Sequence, residues 1–545
     1  MREGHFLKPG VFVMLLLILA SRGIFAVPQT LLPSVGESIY RAGNLSAALP
    51  PTGLRAGGAS VVGVAAACVN CHRRSGLGTA EGSTVIPPIT GKYLYRPDVG
   101  HLEDMDLLYA QGRISLRRES YDDLSLARSI REGLGRDGRR LGPLMPRYAL
   151  DDAAMASLIA YLKTLSNAPV PGVSDDTLHF ATIITPDADP LARRGMIDVL
   201  ERFFEDKNQF IRGGRRVMQD HRTVAFRVTR RWQLHVWELK GPPESWQAQL
   251  HSRLAAEPVF AVISGLGGRT WEPVHRFCEQ DAIPCLFPNV DLPVVAERDF
   301  YPVYFSRGVH LEADLIAAAI TGKERAQRVL QIFREDDIGA AAAQSLAIAV
   351  NKAGLVSLSR PVKAASAKDE LLRILQEAGP DDVLVFWLRR DDLLALPGAA
   401  PTARQVYISG LMDDFAETSL PAAWRPLVRM SYPVDLPKQR QFRTTFPHGW
   451  FRIRHIPVVA DRVQSDTYLA CGILAEALTD MLDIFERDFL VERIEDMVSR
   501  RVLSGYYPRL GLAPGQRFAS KGGYMVHFAD AGGADLVADG EWITP

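Results

Sequence analysis

Cys68-Val69-Asn70-Cys71-His72 is the stretch that decides the first part of the fold. Two cysteines with two residues between them set both thiols on one helical turn, with a histidine directly behind. Thiols at that spacing add across the two vinyl groups of a haem, and the adjacent imidazole supplies a strong-field nitrogen to its iron. A bare Cys-x-x-Cys has competitors. A redox dithiol wants a βαβ setting, and half a zinc site wants a second Cys or His pair nearby. Neither surrounds residues 68–72, since Cys278 and Cys285 stand far along the chain.

A second iron ligand is expected from later in the same segment. Met145 lies in Leu141-Gly142-Pro143-Leu144-Met145-Pro146, a Pro-flanked loop. A helix follows it over Asp151 to Leu165, with Ala154, Leu158, Tyr161, Leu162 and Leu165 on one face. A thioether favours ferrous iron and raises the reduction potential, as an electron carrier needs. Met145 as plain core, Met155 on the helix, and His101 or Met105 as ligand remain the alternatives.

Working outward to the start, Arg2, His5 and Lys8 precede an apolar run from Val11 to Ala20 that ends near Ala26. That length suits an export signal over residues 1–26 and is short for a membrane span, although a retained N-terminal anchor is the other reading. No later segment holds about 18 uninterrupted apolar residues, so no stable membrane insertion is expected after signal cleavage. The expected location is the periplasm, where disulfides are permitted. Cys278 ends a predicted helix and Cys285 begins a strand, and the reversal between them brings the pair within disulfide reach. Two buried small hydrophobes is the other reading of that pair. Cys471, in the apolar helix YLACGILAEAL, reads as a buried thiol. Lys plus Arg equals Asp plus Glu at 63 each, without a basic stripe, which argues against a nucleic-acid partner.

Residues 36–166 resemble a class I cytochrome c domain. The resemblance rests on Gly36-Glu37-Ser38-Ile39-Tyr40-Arg41-Ala42-Gly43, the CVNCH motif, Val85-Ile86-Pro87-Pro88-Ile89-Thr90-Gly91, Ile130-Arg131-Glu132-Gly133, LGPLMPRY and LIAYLKTL. It implies an all-α domain holding one haem c. His72 is then the proximal ligand and Met145 the distal one, with a carbonyl of Pro87 or Pro88 accepting from the proximal His.

Ser166 to Ser174 is a Pro- and Ser-rich linker. Beyond it strand-like runs at 178–184, 232–238, 259–264, 285–288, 329–333, 383–388 and 405–409 alternate with helical runs at 191–204, 246–255, 271–278, 312–321 and 340–353. Such alternation argues parallel α/β sheets, and the length argues two lobes.

This stretch resembles the type 1 periplasmic binding proteins for branched-chain amino acids and amides. HFATIITP, LHVWELKGPPESWQAQL, PVFAVISGLGGRTWEPVHRFCEQDAIPCLFP, YFSRGVHLEADLIAAAI, FREDDIGAAAAQSL and SDTYLACGILAEAL carry the likeness through their order and spacing. It implies a bilobal domain with a ligand between the lobes, its carboxylate held at the turn Ser264 to Trp271. Glycines let backbone donors approach an anion there. Gly267, Gly268, Arg269, Thr270, Asn289 and Asp336 are the leading cleft candidates. Asp187, Asp291, Asp337, Trp387 and Arg389 follow by position, and Thr270 also reads as a helix cap. Arg269 stands where the family more often has Ser or Thr.

The expected organisation is multidomain: signal peptide 1–26, cytochrome c domain 27–166, linker 167–177, binding-protein-like domain 178–529 and a C-terminal tail 530–545. The expected function is periplasmic electron transfer through haem c, with a module that binds or senses a small ligand or docks a redox partner protein. A ligand-binding protein for uptake or signalling with haem as a redox tag is the alternative. An enzyme is less favoured, because His/Met ligation leaves no open iron position and no Ser/His/Asp set, phosphate loop or HExxH motif is present.

Overall fold

A computed structural model of the chain describes Met1 and residues 34–45, 52–81, 84–95, 119–217, 230–296, 298–323, 328–363, 367–415, 420–481, 484–500, 505–530 and 535–545. The expected export signal, His101 and Met105 lie outside these residues.

In the N-terminal part, α1 (Val35–Ala42) begins where the Ser34 hydroxyl accepts the Glu37 N–H, an N-cap. The short helices α2 (Val69–His72) and α3 (Gly91–Leu94) follow, then α4 (Asp123–Glu132) and α5 (Asp152–Thr164). Helix α1 crosses α5 at Gly36, where a Cβ would stand 2.1 Å from the Ser157 carbonyl oxygen. Only glycine permits that approach. Ile39 and Tyr40 of α1, Leu126 and Ile130 of α4, and Leu158 and Leu162 of α5 form one buried cluster.

The expectation of an all-α domain does not hold. Strands β1 (Thr52–Leu54), β2 (Ser60–Val62) and β5 (Arg147–Tyr148) make an antiparallel sheet in the order β2-β1-β5. Strands β3 (Thr79–Glu81) and β4 (Thr84–Ile86) form a separate antiparallel pair. These runs are too short for a helix and rich in Thr, Val and Ile, whose branched Cβ atoms favour extended backbone.

After residue 176 the chain builds two sheets. The first has the order β10-β9-β8-β6-β7 and is parallel throughout. Its strands are β6 (Thr177–Ile184), β7 (Arg231–Glu238), β8 (Ala261–Ile263), β9 (Cys285–Leu286) and β10 (Pro302–Val303), connected through α6 (Pro190–Val217), α7 (Trp246–Ala256) and α8 (Glu272–Gln280). The second has the order β12-β11-β13-β14-β15-β16-β17. Its first five members run parallel: β11 (Arg328–Arg334), β12 (Val356–Val362), β13 (Asp382–Trp387), β14 (Gln405–Ser409) and β15 (Val428–Tyr432). β16 (Tyr524–Phe528) and β17 (Leu536–Ala538) pair antiparallel. The expected strands and helices fall on observed elements. Among the described residues no helix is long and apolar enough to cross a membrane.

The chain passes between the sheets at three places. After β10 it enters α9 (Val309–Lys323), which packs on α10 (Gly339–Lys352) against the second sheet, and α11 (Ala367–Glu377) and α12 (Arg390–Leu394) follow in that sheet's connections. After β15 it returns through α13 (Pro437–Ile453) to α14 (Asp461–Met481), which packs on α6. After α15 (Arg487–Val498) it leaves again for β16. The crossings lie side by side: the Tyr304 N–H donates to the Arg517 carbonyl and the Asp435 N–H to the Tyr506 carbonyl, both at 2.8 Å.

The first turn of α9 buries Glu312, which accepts from the Ser409 and Ser431 hydroxyls and the Leu411 N–H. Burial pushes its carboxyl up to about 7, so the fold holds a proton that the unfolded chain releases near 4.5. That stability is complete below about 4.5 and is lost as pH rises through 7. Urea midpoints at pH 5 and pH 8 are expected to differ by a contribution on the order of 3 kcal/mol from this group, and Glu312→Gln to remove it.

Candidate functional site

Residues Cys68, Cys71 and His72 occupy one turn, as Val69–His72 forms a single helical turn with Cys68 ahead of it. Both cysteines stand outside any disulfide among the described residues. The His72 ring is buried, with Nδ1 3.0 Å from the Pro87 carbonyl oxygen. A carbonyl only accepts, so Nδ1 carries the proton and Nε2 keeps its lone pair. Burial lowers the imidazole to about 4, against a smaller raising effect of the Pro87 bond, and the ring stays neutral. Burial pushes the Cys68 thiol up to about 12. Cys68, Val69, Ile89 and Met145 all pack against the cluster that holds Ile39, Tyr40 and Leu158. Met155 is inside that cluster and is core.

A neutral imidazole with its far nitrogen available, two thiols one turn apart and a thioether on the same apolar wall fit a covalently held haem. Cys68, Cys71, His72 and Met145 would hold it, and when bound it would supply a one-electron couple.

The residues after His72 set the site's surroundings. Arg73 has φ 66° and ψ 172°, a region almost reserved for glycine and costing about 1–3 kcal/mol. Contacts with α15 over-determine it. The Arg73 guanidinium meets Glu495 at 2.5 Å, and Ser75 gives Glu492 its N–H at 2.9 Å and its hydroxyl at 2.6 Å. These side chains are 7, 2, 0 and 1% exposed for Arg73, Glu495, Ser75 and Glu492. Arg74 lies over the Phe300 ring at 4.2 Å. Leu77 and Tyr93 join the main core beneath the first sheet. The N-terminal part is thus docked on the α/β part by a buried polar contact.

Each α/β sheet has a switch point, where successive connections leave in opposite directions and ligands commonly bind. In the first sheet it lies between β6 and β8, and in the second between β11 and β13. Asp187 and the Gly267 to Thr270 turn follow the first pair, while Asp336, Asp337 and Arg389 follow the second. The two points face each other, since Arg269 Nη1 donates to the Asp336 carbonyl at 3.3 Å.

The expected open anion cradle is already filled by the chain itself. The Gly268 N–H donates to the Thr185 hydroxyl at 3.1 Å and the Arg269 N–H to the Asp187 carboxylate at 2.8 Å. Gly267 N–H goes to the Asn289 carbonyl at 3.3 Å, and the Thr270 hydroxyl accepts the Glu272 N–H at 3.3 Å, although the N-cap of α8 is Trp271, which makes no side-chain capping bond. Asn289 sits below in the core, its amide donating to the Ser264 hydroxyl at 3.0 Å. Asp337 pairs with Arg389, while Asp291 pairs with Arg462 at 3.0 Å and reaches Arg389 at 3.8 Å. Among the described residues a cavity of about 20 Å³ lies beside Asn289, Asp291, Arg462, Asp466 and Tyr507, room for about one water. Trp387 is buried beneath the second sheet's other face. Cys278 and Cys285 have Cα atoms 6.0 Å apart, within disulfide reach, and Cys471 is a buried thiol.

Residues 57–166 match the Cytochrome c family model. This cytochrome c domain contains the haem motif and Met145, and α1 packs onto it from just ahead of the matched segment. A comparison with curated proteins finds no match. Solved structures similar to the chain include a fatty acid ABC transporter substrate-binding protein from Thermomonospora curvata, 15% identical, with TM-score 0.49 over 69% of this chain and 95% of that one. A leucine binding protein from Thermotoga maritima is 12% identical, with TM-score 0.46 over 68% and 99%. A branched-chain amino acid ABC transporter protein from Thermus thermophilus, solved with bound valine, is 12% identical, with TM-score 0.47 over 68% and 97%. These neighbours are type 1 periplasmic binding proteins.

Sequence reasoning missed Arg73, Ser75, Glu492 and Glu495. A signal existed in Asp488, Glu492 and Glu495, spaced along one helical stripe, opposite two arginines directly behind the haem motif.

Proposed function

We propose that this chain is a periplasmic electron-transfer protein carrying one haem c on Cys68, Cys71, His72 and Met145. Its bilobal α/β part binds or senses a small ligand or docks a redox partner. The observation that carries the reading is the neutral, buried His72 with Nδ1 committed to the Pro87 carbonyl, on the turn that bears both thiols.

The chain's residues divide the work. Cys68 and Cys71 would anchor the haem, His72 and Met145 would hold its iron, and the apolar cluster around Ile39 and Leu158 would exclude water. Two switch points face each other across the cleft, and three adjacent crossings supply a hinge about which lobes open and close. The division into signal peptide 1–26, cytochrome c domain 27–166, linker 167–177, binding-protein-like domain 178–529 and tail 530–545 belongs to this reading, as does a Cys278–Cys285 disulfide.

The test uses purified full-length holoprotein. One iron per chain and a reduced spectrum indifferent to carbon monoxide are expected if His72 and Met145 both hold the iron. Ready carbon monoxide binding would displace Met145 from its role and favour catalysis at the iron. Mass spectrometry of small molecules released on unfolding tests the cleft.

A further inference from the structure

We propose that Glu492 and Glu495 are positioning residues for the haem, and that Glu495 transmits hinge position to His72 through Arg73. The proposal rests on the reading that His72 holds the iron, and deepens it.

Three observations meet at the turn behind His72. Arg73 holds a positive-φ conformation that an L side chain rarely adopts. Its carbonyl accepts the Tyr40 hydroxyl at 2.7 Å, and its guanidinium is buried on Glu495. Ser75, two residues on, is clamped by both oxygens of Glu492. The peptide that leaves the proximal histidine is therefore fixed by a helix from the other part of the molecule. Strain at a functional site persists where the surroundings impose it. Here α15 does the imposing.

Glu495 has a second set of partners. Its Oε1 accepts from the Arg517 guanidinium and, at 3.1 Å, from the Gly515 N–H. Arg517 belongs to the crossing between α15 and β16, and its carbonyl takes the Tyr304 N–H of the crossing that leaves β10. One carboxylate is thus shared between the proximal turn and one hinge segment, which is itself bonded to a second. When the crossings rotate, Arg517 moves with them, and Glu495 must follow it or remain with Arg73. Asp496, 3.9 Å from Arg73, and Asp488, 3.5 Å from Arg41 and 3.7 Å from Arg74, complete the charged groups on this face of α15.

The test measures the midpoint potential of haem-loaded, full-length protein. Glu495→Gln and Glu492→Gln are each expected to change the ferric/ferrous equilibrium about tenfold, which is about 59 mV for one electron, with haem content unchanged. The decisive comparison is between Arg73→Gly/Glu495→Gln and Arg73→Ala/Glu495→Gln. Both remove the same charges, but only glycine accepts the backbone without strain. Rescue of the potential by glycine and not by alanine is expected; identical behaviour of the two overturns positioning. Asp291→Asn, which removes a partner of Arg389 across the cleft, is expected to shift the potential in the wild-type background and not with Glu495→Gln. No shift, or an equal shift in both backgrounds, overturns the transmission. A wild-type chain without covalent haem sinks the functional reading itself, an outcome distinct from unmoved potentials in loaded variants.

Discussion

Cys68→Ala/Cys71→Ala protein is expected to carry no haem through denaturing electrophoresis, where the wild-type chain keeps a full haem stain. Thioether bonds survive unfolding, and axial bonds from His72 and Met145 do not, so the loss should be complete rather than graded. Each single variant should keep one attachment and a reduced stain. The cost extends to folding. Cys68 and Met145 pack against the buried cluster of Ile39, Tyr40 and Leu158 but are themselves only half-buried, and without a group against them their apolar surface is left facing water. The double variant is therefore expected to melt below the wild type, a difference that calorimetry reads directly. Full haem staining of the double variant would exclude these cysteines as the attachment site.

The second large effect falls on a residue that touches no iron. Gly78 has φ 68°, and a Cβ there would stand 2.1 Å from the Ile86 carbonyl oxygen and 2.9 Å from the Pro87 carbonyl. Its own N–H donates to the His72 carbonyl at 3.1 Å, while the Pro87 carbonyl faces His72 Nδ1. Gly78→Ala must therefore push the segment that orients the imidazole. The positive φ alone costs about 1–2 kcal/mol. With the backbone clash the total is expected to reach roughly 3 kcal/mol, enough to lower the domain's Tm by about 10 °C or more. The ferric/ferrous balance should shift as well, because the imidazole loses its fixed tautomer. Gly57→Ala is the control, for a Cβ there meets nothing within 4 Å. A Gly78→Ala protein that melts with the wild type would remove this glycine from the proximal architecture.

Much of this was legible in residue order. The haem turn is contiguous, so its chemistry is written in five adjacent letters. The α/β part announces itself because buried parallel strands are apolar runs between helices, and β6, β11 and β13 sit where those runs do. The short strands β1 to β5 were not legible, since two- and three-residue pairings leave no period to read. The cleft shows a different limit. Position after a strand located Asp187, the Gly267 to Thr270 turn and Asp336, but not that Thr185 and Asp187 would each take a donor of that turn. Which partner a loop side chain takes depends on the distance between segments folded from opposite sides of a sheet. The contact between Arg73 and Glu495 joins residues 422 positions apart, and the acidic stripe of α15 shows its charges without naming their partner.

That separation also fixes an order of events. A chain made from its N-terminus at about 5–20 residues per second presents the haem motif roughly 20–80 s before helix α15 exists. Throughout that interval Arg73 has no carboxylate to hold it, and the turn behind His72 is free to relax. A haem-attaching machinery would therefore meet a pliant, accessible peptide, and α15 would later lock the loaded product. Maturation and final shape would be separated in time by the arrangement of the polypeptide itself.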